Sequence, residues 1–137
     1  MTKIIVLPKG ASLIDEIISY AKFARIKTAK VEAIGGVDRL VVAYYNRSKR
    51  EYEKHQYDEF LEVTSAIGNI TRKDGSPFLH LHGNFGRKDM SVIGGHVMSA
   101  RVFPTLEAMI TTTSNVATRV YDEETGLNLI QGVKNRP

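Results

Sequence analysis

The chain has 137 residues, with 19 Lys and Arg against 15 Asp and Glu, giving a net charge of +4 and an isoelectric point near 9.4. That length suits one domain with a core of its own, and the lack of cysteine excludes disulfides, thiolate zinc sites and cysteine nucleophiles, in keeping with a reducing cytoplasm. There is no membrane-length apolar run and the opening MTKIIVLPKG has too short an apolar patch for a secretory signal, while the modest charge excess permits a polyanion partner without specifying one.

Residues 3–7 form an aliphatic, β-branched run ended by Pro8, Lys9 and Gly10, so a strand and a turn are expected. A helix over residues 12–26 follows. Ser12 can cap it, Asp15 stands in its first turn, and Leu13, Ile14, Ile17, Ile18, Ala21 and Ala24 recur at helical spacing, an amphipathic pattern suited to covering a sheet. Arg25 and Lys27 suit its C-terminal end. From Thr28 the period becomes two: Ala29, Val31 and Ala33 alternate with Lys30 and Glu32 up to a break at Gly35 and Gly36. A strand at 39–45, a polar turn at 46–50 and an exposed return strand at 51–57 come next. Residues 60–70 read as a strand, possible bulge included, and 73–77 as a strong turn. Beyond residue 98 the chain leaves a hairpin through Pro104, and strands follow at 106–113, 117–121 and 127–130, the last two joined by a turn at 122–126. The sum is a single α+β domain over 1–137, a curled, mainly antiparallel sheet with one main helix.

The informative stretch is 77–98, PFLHLHGNFGRKDMSVIGGHVM. As a hairpin it rises over 78–85, turns at 86–89 and returns over 90–98. His80 and His82 share a face because a strand has a side-chain period of two. A turn centred near Lys88 sets His96 opposite His80, within one residue, so three imidazoles converge. Three histidines leave a fourth tetrahedral position for water or substrate, as catalytic zinc sites do, and could lower the pKa of bound water to about 7. Nickel, cobalt or copper would also accept such a nitrogen set, so zinc is favoured only by availability. The competing reading is a hydrogen-bonded or exposed histidine pair, with a one-residue slip turning His96 away. Gly94 and Gly95 are either a bulge or room for a ligand or backbone to approach. Lys49, Arg50, Lys54, Arg72, Lys73, Arg87 and Lys88 are the candidate phosphate contacts of a DNA-binding alternative; interspersed Glu51 and Glu53 favour a solvated surface instead.

Pro77, the triplet His80, Leu81 and His82, the run Val92, Ile93, Gly94, Gly95 and His96, and Glu107 beyond it together resemble the plant and prokaryote conserved (PPC) domain, in its prokaryotic single-domain form. Gly10, the Ile34–Val37 segment, Leu61, Glu62 and Val63, and Gly68, Asn69 and Ile70 are similar in order, so the resemblance spans nearly the whole chain. It implies a compact α+β fold in a homotrimer, with a pocket at the subunit boundary. It also implies His80, His82 and His96 as metal ligands, zinc being the usual ion, with Gly94 and Gly95 shaping the site. Asn69, Glu62 and Glu107 are nearby polar candidates, the two glutamates for proton transfer on a small-molecule ligand. The family is also described as DNA-binding, through plant members that carry an AT-hook; the tail residues Lys134, Asn135, Arg136 and Pro137 lack that hook's Arg-Gly-Arg-Pro core.

Overall fold

Alternation along the strands and one helical stripe generate the architecture. The structure, a computed structural model, describes residues 1–131; the tail at 132–137, including Lys134 and Arg136 of the AT-hook comparison, lies outside the described residues. In chain order the elements are β1 (Thr2–Pro8), α1 (Leu13–Phe23), β2 (Ala29–Asn46), β3 (Glu51–Tyr57), β4 (Leu61–Lys73), β5 (Ser76–Gly86), β6 (Val92–Thr112), β7 (Arg119–Asp122) and β8 (Leu127–Ile130). These strands pair antiparallel throughout. β2 pairs with β4, β4 with β5, β5 with β6, and β6 back with β2, so four strands close a ring; β1 flanks β6 and β3 flanks β2. This is the mainly antiparallel, curled sheet with one helix expected for an α+β chain. No helix among the described residues is long and apolar enough to cross a membrane.

α1 begins where Ser12 Oγ accepts the backbone N–H of Asp15 at 3.4 Å. Leu13, Ile17 and Ala21 are buried in the core, where the helix lies across β5 and β6, whereas Ala24 is exposed. Burying Leu13 and Ile17 contributes about 1.5–3 kcal/mol each. The helix ends at Phe23, short of the expected residue 26. Arg25 takes a left-handed φ of 54°, and the N–H of Ile26 donates back to the carbonyl of Ala21 at 2.9 Å. That is a left-handed C-terminal cap with arginine where glycine is usual. Arg25 and Lys27, expected at the end of the helix, therefore fall outside it.

Two expected breaks are absent. β2 runs through Gly35 and Gly36, and β6 runs through Pro104. A Cβ on Gly35 would lie 2.5 Å from the carbonyl oxygen of Thr105, and one on Gly36 would lie 2.2 Å from that of Phe103. The glycines thus let β2 press against β6 at an irregularity in their register instead of ending the strand. Pro104 falls in the interval between the Val37–Val102 and Gly35–Leu106 pairs, where its missing N–H costs no ladder bond to β2.

The β7–β8 hairpin is tied down at both ends. At one end Arg72 N–H donates to the carbonyl of Ala117 at 2.9 Å, and Ala117 N–H donates to Thr28 Oγ1 at 2.9 Å. At the other, Tyr45 and Arg50 donate to the carbonyls of Thr125 and Glu123. These ties hold the hairpin beside the strand that carries the histidine pair.

Candidate metal centre

β5 divides its residues by parity. Leu81, Gly83 and Phe85 are buried, while His80, His82 and Asn84 turn to the opposite face. β6 then places His96 beside His82, with Gly95 opposite Gly83 and Gly94 opposite Asn84. This corrects the sequence expectation, which pairs His96 with His80. The turn is centred one residue later, near Asp89: Asp89 Oδ1 accepts the Ser91 N–H at 2.9 Å, Arg87 N–H donates to Ser91 O at 2.8 Å, and Met90 takes a φ of 70°. Shifting a turn centre by one residue moves the partner by two, which preserves the face. The imidazoles consequently still converge.

One ligating nitrogen from each of His80, His82 and His96 lies within 4.8 Å of the others. His80 Nε2 and His82 Nε2 are 3.1 Å apart. Two nitrogens on one tetrahedral zinc, each at about 2.0–2.1 Å, would stand about 3.4 Å apart, so this pair is already near ligand spacing. His96 Nδ1 is buried without a hydrogen-bond partner, a group that proteins ordinarily satisfy. Burial, then the neighbouring His82, Arg119 and His96, lowers the His80 pKa to about 4. Burial, followed by His82 and Arg119, also pushes His96 down. Low pKa values keep these rings neutral at pH 7, the form in which imidazole binds metal. The donor set thus fits a nitrogen-preferring divalent ion.

The surroundings resolve the glycine question. The β5–β6 pairing runs without a shift through Gly94 and Gly95, so they form no bulge there. A Cβ on Gly94 would lie 2.8 Å from Asn84 Oδ1, and one on Gly95 would lie 3.0 Å from the carbonyl oxygen of Ala43. Both leave room for a neighbour. Together with Ser65, Ile67, His82 and Asn84 they border a concavity of about 320 Å³.

Two residues of the site escape the sequence reading. Tyr52 on β3 stacks on His96, with ring centroids 4.7 Å apart and planes 28° from parallel. Arg119 on β7 donates from Nε to Thr71 Oγ1, from Nη1 to the carbonyl of Asn128 and from Nη2 to Asn69 Oδ1, each at 2.9 Å; Nη2 also stands 3.4 Å from His80 Nδ1. Asn69, which pairs with His80 across β4 and β5, therefore meets the site through Arg119. No local signal marks Arg119: the run from Ala117 to Tyr121 carries apolar residues on both parities, and only the fold shows Ala117 and Arg119 buried while Thr118 and Val120 are exposed.

The other candidates stand apart. Glu62 is exposed on β4 opposite Gly86, about 15 Å along the sheet from the His82 pair. Glu107 is exposed on β6 opposite Val6 and Ile34, about 35 Å of strand from His96. Arg87 forms an ion pair with Glu59 at 2.7 Å, and Lys49 approaches Glu53 at 3.9 Å. Arg50 is engaged with Glu123, and Lys88 is exposed in the β5–β6 turn. A larger concavity, about 590 Å³, lies away from the histidines and is lined by Lys22, Arg25, Lys27 and Arg72 with no acidic side chain.

A family model for the Plants and Prokaryotes Conserved (PCC) domain matches residues 2–114, which include all three histidines but stop short of Arg119. No curated protein matches the chain. Among solved structures, a metal-containing protein from Archaeoglobus fulgidus is 34% identical, with a TM-score of 0.89 over 96% of this chain and 94% of its own. A plant- and prokaryote-conserved protein from Pyrococcus horikoshii is 29% identical, with a TM-score of 0.91 over 98% and 93% of the two chains. A candidate DNA-binding protein from Bacteroides thetaiotaomicron is 25% identical, with a TM-score of 0.92 over 95% and 91%.

Proposed function

The chain belongs to the Plants and Prokaryotes Conserved domain family, and from that membership we propose that it is a metal-binding protein, with His80, His82 and His96 as ligands and a small molecule as its further partner. The observation that carries this is the convergence of three imidazole nitrogens within 4.8 Å. The metal-containing relative from Archaeoglobus fulgidus supports it. A divalent ion held by three neutral nitrogens, zinc first, would supply Lewis acidity at an open position. The protein's own part is orientation. β5 and β6 hold the rings, Tyr52 stacks against His96, and Gly94, on the histidine face, leaves room for Asn84 while Gly95 lets β6 lie close to Ala43 on the other.

A homotrimer and a cytoplasmic location belong to the same proposal. Support for association is an exposed apolar strip: Ile4 pairs with Met109, and Val6 and Ile34 flank Glu107 from either side, all on one face of the sheet. Sedimentation should give three chains per particle. DNA binding is the second reading, favoured by the cationic concavity of Lys22, Arg25, Lys27 and Arg72 and by the Bacteroides relative. It predicts an affinity for duplex DNA that falls steeply with salt.

Metal analysis of untagged protein tests the first reading. One ion per chain is expected, and replacing all three histidines by alanine should remove it. Wild-type protein without stoichiometric metal would end that reading.

A further inference from the structure

Arg119 is only 7% exposed, yet no carboxylate among the described residues forms an ion pair with it. Its partners, Thr71, Asn69, the Asn128 carbonyl and His80, are all neutral. A guanidinium carries five N–H donors and keeps its charge in proteins. Thr71, the Asn128 carbonyl and Asn69 take three, and His80 Nδ1 takes a fourth only in the tautomer that leaves that nitrogen unprotonated, so at least one donor, on Nη1, is left over. Buried charge without a counter-charge is unfavourable, and a bound anion relieves it.

The residue lines a pocket of about 260 Å³ between the histidine strands and the β7–β8 hairpin. Phe78, Met98, Leu127 and Leu129 supply its aliphatic and phenyl wall beside Tyr52 and Asn128, with no acidic side chain, and the guanidinium lies over the Phe78 ring at 5.0 Å from its centroid. One fixed cation in an apolar pocket selects a small ligand with one anionic end and a short hydrocarbon body. A phosphate ester would need more donors than a single, largely engaged arginine offers.

We infer that this pocket binds a small organic carboxylate, its head on Arg119 and its body against Phe78, Leu127 and Leu129. His80 and His96 also line the pocket, so the bound acid lies against the histidine centre. The assignment rests on Arg119 and the pocket wall, and stands independently of any metal on the histidines.

Calorimetric titration of the full chain, both chelator-treated and zinc-loaded, with isobutyrate, isobutyramide and inorganic phosphate tests it. Saturable isobutyrate binding, about tenfold or more tighter than either comparator, is expected, with a similar loss in Arg119→Lys. Because Arg119 also anchors the hairpin, a second variant is needed. Leu129→Trp fills the pocket from an exposed position, leaves the hydrogen bonds of Arg119 in place and should abolish binding. Equal affinity for acid and amide, tighter phosphate binding, or undiminished binding in Leu129→Trp would overturn the assignment. Zinc content of the zinc-loaded sample after dialysis separates the two claims: isobutyrate bound while that sample fails to hold stoichiometric zinc removes only the histidine reading, and zinc held without isobutyrate binding in either sample removes only this one.

Discussion

The two faces of β5 use the same backbone for opposite purposes. On one, Leu81 and Phe85 are enclosed by the core, with Gly83 clearing space for the Phe85 ring. On the other, His80, His82 and Asn84 stand in a partly open, polar setting with an orphaned His96 nitrogen beside them. The core face supplies stability through apolar area and close packing; the histidine face supplies donors and holds polar groups that the protein alone leaves unsatisfied. Stability and chemistry are thereby separated by a single residue step along one strand.

Substitutions on alternate residues should expose that separation. Phe85→Ala should cost about 3–5 kcal/mol in urea unfolding. His82→Ala, three residues from Phe85 and on the opposite, exposed face, should abolish metal retention while changing the stability of the metal-free protein by no more than about 0.5 kcal/mol. Equal losses of stability would break the contrast. Gly68→Ala acts where the faces join: its Cβ would lie 2.0 Å from the carbonyl oxygen of His80, forcing β4 and β5 apart. A loss of about 1–3 kcal/mol is expected.

Acidity should act on the histidine face next. Burial lowers the folded-state pKa of His80 to about 4 from the ordinary 6.5 and also lowers that of His96. The unfolded chain therefore binds more protons between these values. The contribution of these two rings to the stability of the metal-free protein should fall as pH drops from about 6.5 to about 4 and level off below. With both rings half-open to solvent, the loss should be about 1–2 kcal/mol. Urea midpoints across that range check it, and His80→Ala should flatten the profile. At the small end, Arg87→Ala removes an exposed ion pair with Glu59 and the guanidinium lying 5.9 Å from the Tyr57 ring centroid, and its melting temperature should stay close to wild type.

Local pattern made one part of this molecule legible. Helical spacing located α1, and period two put His80 and His82 on one face even with the turn centre misplaced by a residue. Breakers misled at Gly35, Gly36 and Pro104, because close strand approach and an unpaired interval use the same residues that commonly end a strand. Arg119 and Tyr52 were beyond local pattern altogether. Arg119 reaches Asn69 and Thr71 across about fifty residues, and such contacts follow from how the sheet closes and the hairpin folds back.

X-ray absorption at the metal edge of untagged, unsupplemented protein tests the central claim most directly. Three imidazole nitrogens at about 2.0–2.1 Å from one zinc per chain, with an additional oxygen, is the predicted result. Absence of a stoichiometric ion, or a shell of oxygens without imidazole scattering, would contradict it.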